Sequence, residues 1–181
     1  MTLMALDKID INILNELQQN ASLTNVELAA RVNLSPSPTL ARVKNLERLG
    51  VIDRRIAVLN PLVLGLGITA FIHVKLERQV QMSLDSFTTT VQRLNEVMEC
   101  YLMIGDNDYL LRVVVKDMED LESLIVNKLS RIAGVASIRS NLVLKKISHK
   151  TVLPIDTSGP VQIKPYQNAN RQAPRQMVAK V

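Results

Sequence analysis

The stretch TNVELAARVNLSPSPTLARVKNLERLG, residues 24–50, decides how the rest of the chain is read. Thr24 and Glu27 form a T-x-x-E pattern in which each side chain can accept the other residue's backbone N–H, so a helix is predicted to start at Thr24. Leu28, Ala29 and Val32 give it an apolar face. Asn33 stands where the chain must leave that helix, and Asn tolerates the left-handed backbone such exits use. Ser35 is expected to cap the next helix. Pro36 follows at its first position, where a missing N–H is no loss, and Pro38 still lies in the first turn. This second helix should run to Leu49 and stop at Gly50.

Working outward, Asp7 reads as an N-cap with Asp10 at the acidic third position, and Ile9, Ile13, Leu14 and Leu17 recur at helical spacing. A helix from about Lys8 to Gln19 therefore completes a three-helix unit over residues 1–52, whose last two helices carry helix-turn-helix punctuation. Three such helices are as readily a small bundle with no nucleic-acid role, and the wheel of the third helix separates the two readings. At about 100° per residue, Pro36, Leu40, Val43, Glu47 and Gly50 share one side, with Thr39 and Leu46 beside it. The opposite side carries Ser37, Pro38, Ala41, Asn45 and Arg48, flanked by Arg42 and Lys44. It has no acid and no large apolar residue. Small side chains let the helix approach a groove, Asn can pair with adenine, and Arg with guanine. The candidate DNA contacts are Ser35, Ser37, Pro38, Ala41, Arg42, Lys44, Asn45 and Arg48, with Arg54 as a phosphate contact.

Charge supports this locally rather than globally. The 181 residues carry 22 Lys/Arg and 17 Asp/Glu, a net charge of +5. Residues 1–60 hold seven basic and six acidic side chains, 61–150 eleven and ten, and 151–181 four and one. From Arg31 to Arg55, however, six basic residues face only Glu47 and Asp53. No run of about 18 apolar residues suggests a membrane span, and the first residues lack the pattern of a signal peptide. One cysteine, Cys100, fits a reducing cytoplasm and is expected to be a small buried residue. His73 and His149 have no partner at metal-ligand spacing. Gly65 and Gly67 lack the third glycine and helix of a dinucleotide loop.

After Gly50, Ile52 to Leu59 reads as a strand ending at the Asn60-Pro61 turn, so residues 53–67 are a connecting strand and joint. The second half changes rhythm. Ile68–Leu76 reads as a strand, Ser83–Glu96 as a helix with Leu84, Phe87, Val91 and Leu94 buried, and Val97–Ile104 as a strand. Gly105-Asp106-Asn107-Asp108 is turn chemistry. Tyr109–Val115 reads as a strand. Asp117 and Asp120 open a helix ending at Gly134, and Ala136–Lys146 is a last strand. The order β-α-β-β-α-β over residues 68–150 is ferredoxin-like. Apolar residues on both strand faces call for a second subunit over the open face. Residues 151–181 are rich in Pro, Gln, Asn and Arg and read as a mostly disordered tail, so a cut after about Thr157 is expected to leave the melting temperature nearly unchanged.

The openings LDKIDINILNELQQNA and NVELAARVNLSPSPTLARVKNLERLGVI, and the later GDNDYLL, resemble the leucine-responsive/asparagine-responsive (Lrp/AsnC) transcription regulators in order and spacing over about residues 6–150. The resemblance implies an α+β chain with an N-terminal helix-turn-helix, winged-helix-like head and a C-terminal ferredoxin-like domain. It implies a cytoplasmic bacterial or archaeal protein that binds an imperfect palindrome in double-stranded DNA. It also implies a homodimer that assembles to tetramers or octamers, and no cofactor other than an amino-acid effector held between sheet domains near the Gly-Asp turn. On that placement the effector residues are Ile104, Gly105, Asp106, Asn107, Asp108, Tyr109, Ala133, Gly134, Val135, Ala136 and Ser137. Backbone N–H groups would take the carboxylate and an Asp the ammonium, and the apolar walls favour a Leu- or Met-like side chain. Two rivals share the architecture. A siroheme-decarboxylase-like enzyme would need basic or imidazole residues for tetrapyrrole carboxylates and could dispense with Ser37, Asn45 and Arg48. A nucleoid-associated protein would bind DNA with no effector.

Overall fold

The computed structural model describes residues 4–78, 80–155, 159 and 161–163. The elements run β1 (Met4–Leu6), α1 (Lys8–Gln19), α2 (Asn25–Arg31), α3 (Pro36–Arg48), β2 (Ile68–Leu76), α4 (Gln81–Val91), β3 (Val97–Leu102), β4 (Tyr109–Val115), α5 (Met118–Ser123), β5 (Val135–Leu142) and β6 (Val161–Ile163). The chain forms two compact units. One is built from residues up to Ala57 together with the chain from His149 onward, and the other from Val58–Ser148.

The head follows its local signals closely. Asp7 accepts the Asp10 N–H at 2.8 Å, and Asp10 accepts that of Asp7 at 3.4 Å. Thr24 and Glu27 close the same reciprocal box at the start of α2. Asn33 has φ 55, and this reversal lets the Leu34 N–H reach the Ala29 carbonyl at 2.9 Å. Ser35 departs from expectation, because its side chain makes no capping bond. A capping hydroxyl accepts from the second or third helical N–H, and the third residue here is Pro38, which has none. The start of α3 is held instead by Thr39 Oγ1 donating to the Ser35 carbonyl at 2.9 Å, and by Asn25 Nδ2 donating to the Pro36 carbonyl at 2.8 Å. The second bond ties α2 to α3. Ile11, Ile13, Leu14, Leu17, Leu28, Val43 and Leu46 form the core beneath.

The reading of residues 151–181 as a mostly disordered tail needs correction over its first part. β6 pairs antiparallel with β1, Leu6 opposite Val161 and Met4 opposite Ile163, and Ile155, Val161 and Ile163 pack against the head core. The Leu153 N–H also donates to Gln18 Oε1 at 2.6 Å. A three-residue β1 alone would leave its N–H and C=O groups without partners, and β6 supplies them. Composition concealed this because only three apolar residues of the segment, Ile155, Val161 and Ile163, make the contact with the head core. A cut after Thr157 removes β6 and is no longer expected to be neutral. Residues 164–181 lie outside the described residues.

The second unit is a four-stranded antiparallel sheet in the order β3-β4-β2-β5. Ala70, Ile72 and Val74 of β2 and Tyr109, Leu111 and Val113 of β4 share one face, where Phe87 and Val91 of α4 and Leu121 and Leu124 of α5 cover them. The β-α-β-β-α-β order is the expected one. Details differ. α4 starts two residues before Ser83 and ends at Val91, where Arg93 and Leu94 donate to carbonyls three residues back and tighten the chain into a turn. α5 loosens into a π turn at Leu124–Lys128 and a 3-10 turn at Leu129–Arg131.

Three expectations fail in this unit and at its border. Residues 53–60 belong to no sheet, and Ile56, Val58 and Leu59 are exposed. Their β-branched composition suits a strand, but a strand needs a neighbour and none of the described strands pairs with them. Cys100 is exposed rather than buried. The uncovered sheet face is also mixed rather than apolar: Phe71, Leu110 and Val114 alternate with His73, Arg139 and an Arg112–Glu99 ion pair of 2.7 Å, to which Tyr101 adds a hydroxyl bond.

Candidate nucleic-acid and effector sites

Packing turns α3 slightly from the orientation read off its wheel. Thr39, Val43 and Leu46 are buried, while Pro36, Glu47 and Leu40 (43% exposed) are not. The opposite face is centred on Ser37, Ala41, Lys44 and Arg48, with Pro38 and Asn45 alongside, and all six are exposed. Arg48 Nη2 donates to Asn45 Oδ1 at 2.7 Å. The two candidate base readers thus bond each other. Ser35 is exposed at the helix start. Arg54 lies 3.6 Å from Asp53, with both side chains largely in solvent.

Arg42 does not belong to this face. Its Nη1 sits 2.8 Å from both Asp7 Oδ2 and Asp10 Oδ1, so it braces α3 against the start of α1. Partial burial works to raise the Asp7 carboxyl, but the Asp10 amide and Arg42 outweigh it and hold it below the ordinary carboxylate value of 3.8. A carboxylate with a depressed folded pKa stabilises the fold above its unfolded pKa and loses that contribution as pH falls through the folded value. Acid titration of head stability should therefore show a step below about pH 3.8 that Arg42→Met shrinks. Superimposable pH profiles for the two proteins would show that the brace carries nothing.

The candidate effector residues come to one end of the sheet. The β3–β4 turn, the end of β2 and the start of β5 lie side by side there, with Leu102 paired to Tyr109, Val74 to both Tyr109 and Ile138, and Leu76 to Val135. Ile104, Asp106, Ala133, Ala136 and Ser137 are exposed, and Asn107, Gly134 and Val135 half-buried. Gly105 has φ 141, a conformation that a β-branched residue would strain. The Gly134 carbonyl accepts the Glu77 N–H at 2.8 Å and ties the start of β5 to the end of β2.

Two of the expected residues have other work. Asp108 is 4% exposed, and its Oδ2 accepts the Leu76 N–H at 2.6 Å. Its own N–H donates to the Val74 carbonyl, and its carbonyl accepts the Met103 N–H. It pins the turn to β2 at the point where the β2–β5 register shifts. Tyr109 faces the core, its ring 4.4 Å from that of Phe87 and its hydroxyl donating to the Leu84 carbonyl at 3.1 Å. The alternation of Tyr109, Leu111, Val113 and Val115 carried that signal. Sequence reasoning missed the Asn25 tie between α2 and α3 and the Asn45–Arg48 bond, for which only the i, i+3 spacing of the last pair gives a hint. A cleft at the opposite end of the sheet, beside Val115 and Leu124, includes none of the expected residues. Its cations are already matched: Lys128 with Glu96 and Lys116 with Asp117.

Comparison with known proteins completes the description. A family model for winged helix-turn-helix DNA-binding domains matches residues 6–53, and one for the Lrp/AsnC ligand binding domain matches residues 69–153. The leucine-responsive regulatory protein of Escherichia coli K12 is 43% identical over 152 residues, which cover 84% of this chain and 93% of that one. A transcriptional regulator from Neisseria meningitidis, solved as a complex with L-Met, superimposes with a TM-score of 0.79 at 42% identity, covering 82% of this chain and 96% of that one. An AsnC family regulator from Agrobacterium tumefaciens gives 0.78 at 34% identity, covering 82% and 97%.

Proposed function

The chain belongs to the Lrp/AsnC family of transcriptional regulators, and from that footing we propose that it reads an imperfect palindrome through the exposed face of α3 and answers to a small apolar amino acid. The observation that carries the DNA half is the acid-free surface of Ser37, Ala41, Lys44, Asn45 and Arg48, raised on a helix that is braced on both sides. Small side chains at its start admit it to a major groove, and the Asn45–Arg48 pair presents donors to base edges.

Arg48→Ala and Asn45→Ala should each weaken binding to the cognate site by about 1–3 kcal/mol. Because the two side chains bond each other, the double variant should lose less than the sum. Lys44→Ala should weaken all sequences alike. Fluorescence anisotropy on a selected site and on a mixed-sequence duplex reads all of these, and equal wild-type affinity for the two at physiological salt would sink the reading.

We read the effector site as the β3–β4 turn with the start of β5. The exposed backbone around Gly105 offers N–H groups to a carboxylate, and Asp106 is a carboxylate within the same turn for the ammonium. Exposed Leu102, Met103 and Ile104 supply apolar walls, which favours a Leu- or Met-like ligand. The L-Met bound by the Neisseria regulator agrees with that chemistry.

Assembly of two or more copies supports both halves, since one head reads only half of a palindrome. Exposed Leu62, Val63, Leu64, Leu144 and Ile147 provide apolar surface for it. Light scattering at micromolar concentration should give at least a dimer, and a mass near 20.2 kDa would overturn this.

A further inference from the structure

Two arginines follow the helices of the head, and they are held differently. Arg54 lies 3.6 Å from its own neighbour Asp53, with both side chains largely in solvent, and such a pair does not fix it with respect to α3. Arg55 Nη2 donates to Glu47 Oε1 at 3.1 Å, which carries it back across eight residues onto α3. Both members of that pair stay open to solvent, and Glu47 is the one acid of α3.

The place of Glu47 on the helix decides what Arg55 can reach. The reading face is centred on Ser37, Ala41, Lys44 and Arg48. At about 100° per residue, Glu47 stands roughly 90° from that centre, on the side of Lys44 and away from Arg42. A helix with its side chains is about 10–12 Å across and a major groove about 12 Å wide, so a helix that lays one face on the bases turns its flanks to the groove walls. Those walls are phosphate backbone. On one flank Arg42 is taken by Asp7 and Asp10. On the other, a guanidinium covers the carboxylate that would otherwise meet the anions. Glu47 takes one of its N–H groups, and a guanidinium carries five, so donors remain for a phosphate oxygen. Holding the fork in advance lessens the freedom lost when the phosphate arrives.

Resting on the DNA-binding reading above, we propose that Arg55, and not Arg54, is a phosphate contact of the head on the wall of the major groove, and that Glu47 is the residue that positions it. Bonds to phosphate carry no sequence information, so the pair adds affinity and salt dependence without changing which site is chosen.

The test uses the full-length protein carrying Arg55→Gln, Arg54→Gln, Glu47→Gln or Glu47→Ala, and the combination of Arg55→Gln with Glu47→Gln. Affinity for a selected site and for a mixed-sequence duplex is followed by fluorescence anisotropy from about 50 to 200 mM salt. An exposed ion pair adds little to stability, so all five proteins should melt with the wild type. Arg55→Gln should flatten the slope of log K against log salt by about 0.9 per head, so the wild type's advantage shrinks by about threefold per head over that range, equally on both duplexes. Arg54→Gln should leave the slope alone. Removing Arg55 also uncovers the Glu47 carboxylate, whose repulsion could weaken binding by itself. Glu47→Gln removes that charge and keeps an acceptor, so it should keep the wild-type slope, and Arg55→Gln should still cost about 0.9 in its background. Glu47→Ala leaves Arg55 unheld and should flatten the slope in the same direction. No effect of Arg55→Gln in the Glu47→Gln background, with the selected site still bound, would show that Arg55 only masks an acid and would overturn the contact. A flattened slope for Arg54→Gln would overturn the choice between the two arginines. A wild-type slope or tighter binding in Glu47→Ala would overturn the positioning role. Failure of the wild type to bind any duplex would instead bring down the DNA-binding reading, and this contact with it.

Discussion

Ending the chain at Ser148 should destabilise the DNA-binding head by about 3 kcal/mol, whereas ending it at Ile163 should leave its stability unchanged. The estimate comes from three apolar side chains, Ile155, Val161 and Ile163, each partly buried against the head core and each contributing about 1 kcal/mol. The β1–β6 backbone bonds and the Gln18–Leu153 bond are lost at the same time. Leu6 should suffer most, since it is 4% exposed only while Val161 lies opposite it. Hydrogen exchange of the α1 and α3 amides separates the cases. Exchange should quicken in the shorter protein to reflect the lost stability, and stay at wild-type rates in the longer one. Wild-type rates in both would show that the return strand does not hold the head.

Asp108→Ala should cost about 2–3 kcal/mol in the sheet domain, while Asp106→Ala should cost almost nothing. Removing Asp108 leaves the buried Leu76 N–H without its charged acceptor, and a buried donor stripped of a charged partner costs that much. Asp106 is exposed and has no comparable place in the framework. Ligand binding should separate them in the opposite sense. Calorimetry with Leu and Met should find Asp106→Ala well folded and weak in binding. Asp108→Ala should bind weakly only to the extent that its turn has lost its shape, and Asp108→Asn, which keeps an acceptor, should recover part of both properties. If Asp106→Ala binds as tightly as wild type, the ammonium is held elsewhere and the assignment to this turn fails.

What was legible in the sequence was what neighbours in sequence decide. The capping boxes at Asp7 and Thr24, the reversal at Asn33 and the helix stop at Gly50 depend on groups within four residues, and each formed as read. The alternation that makes β2 and β4 central strands is local too. Errors arose where a partner is distant. Arg42 looks like a free basic residue until Asp7 and Asp10, more than thirty positions earlier, come to meet it. Asp108 looks like turn chemistry until Leu76 is brought beside it. β6 is three unremarkable residues whose strand partner lies near the other end of the chain. The Ser35 cap is the exception. Pro38 removes one of the two N–H groups that such a cap can accept, and that much was readable locally.

The pairing of β1 with β6 also sets an order of events during synthesis. A ribosome that has delivered Ala57 has made all three helices of the head but not the strand that closes them, and Ile163 is 106 residues further on. At roughly 5–20 residues per second, that interval lasts about 5–20 s. Throughout it β1 has an open edge and Leu6 lacks its cover, while the sheet domain, whose strands are all contained in the intervening residues, can form first. The unit that reads DNA is thus the first begun and the last finished. A chain released early by a stalled ribosome would carry a complete sheet domain and an incomplete head, poorly fitted to hold a site.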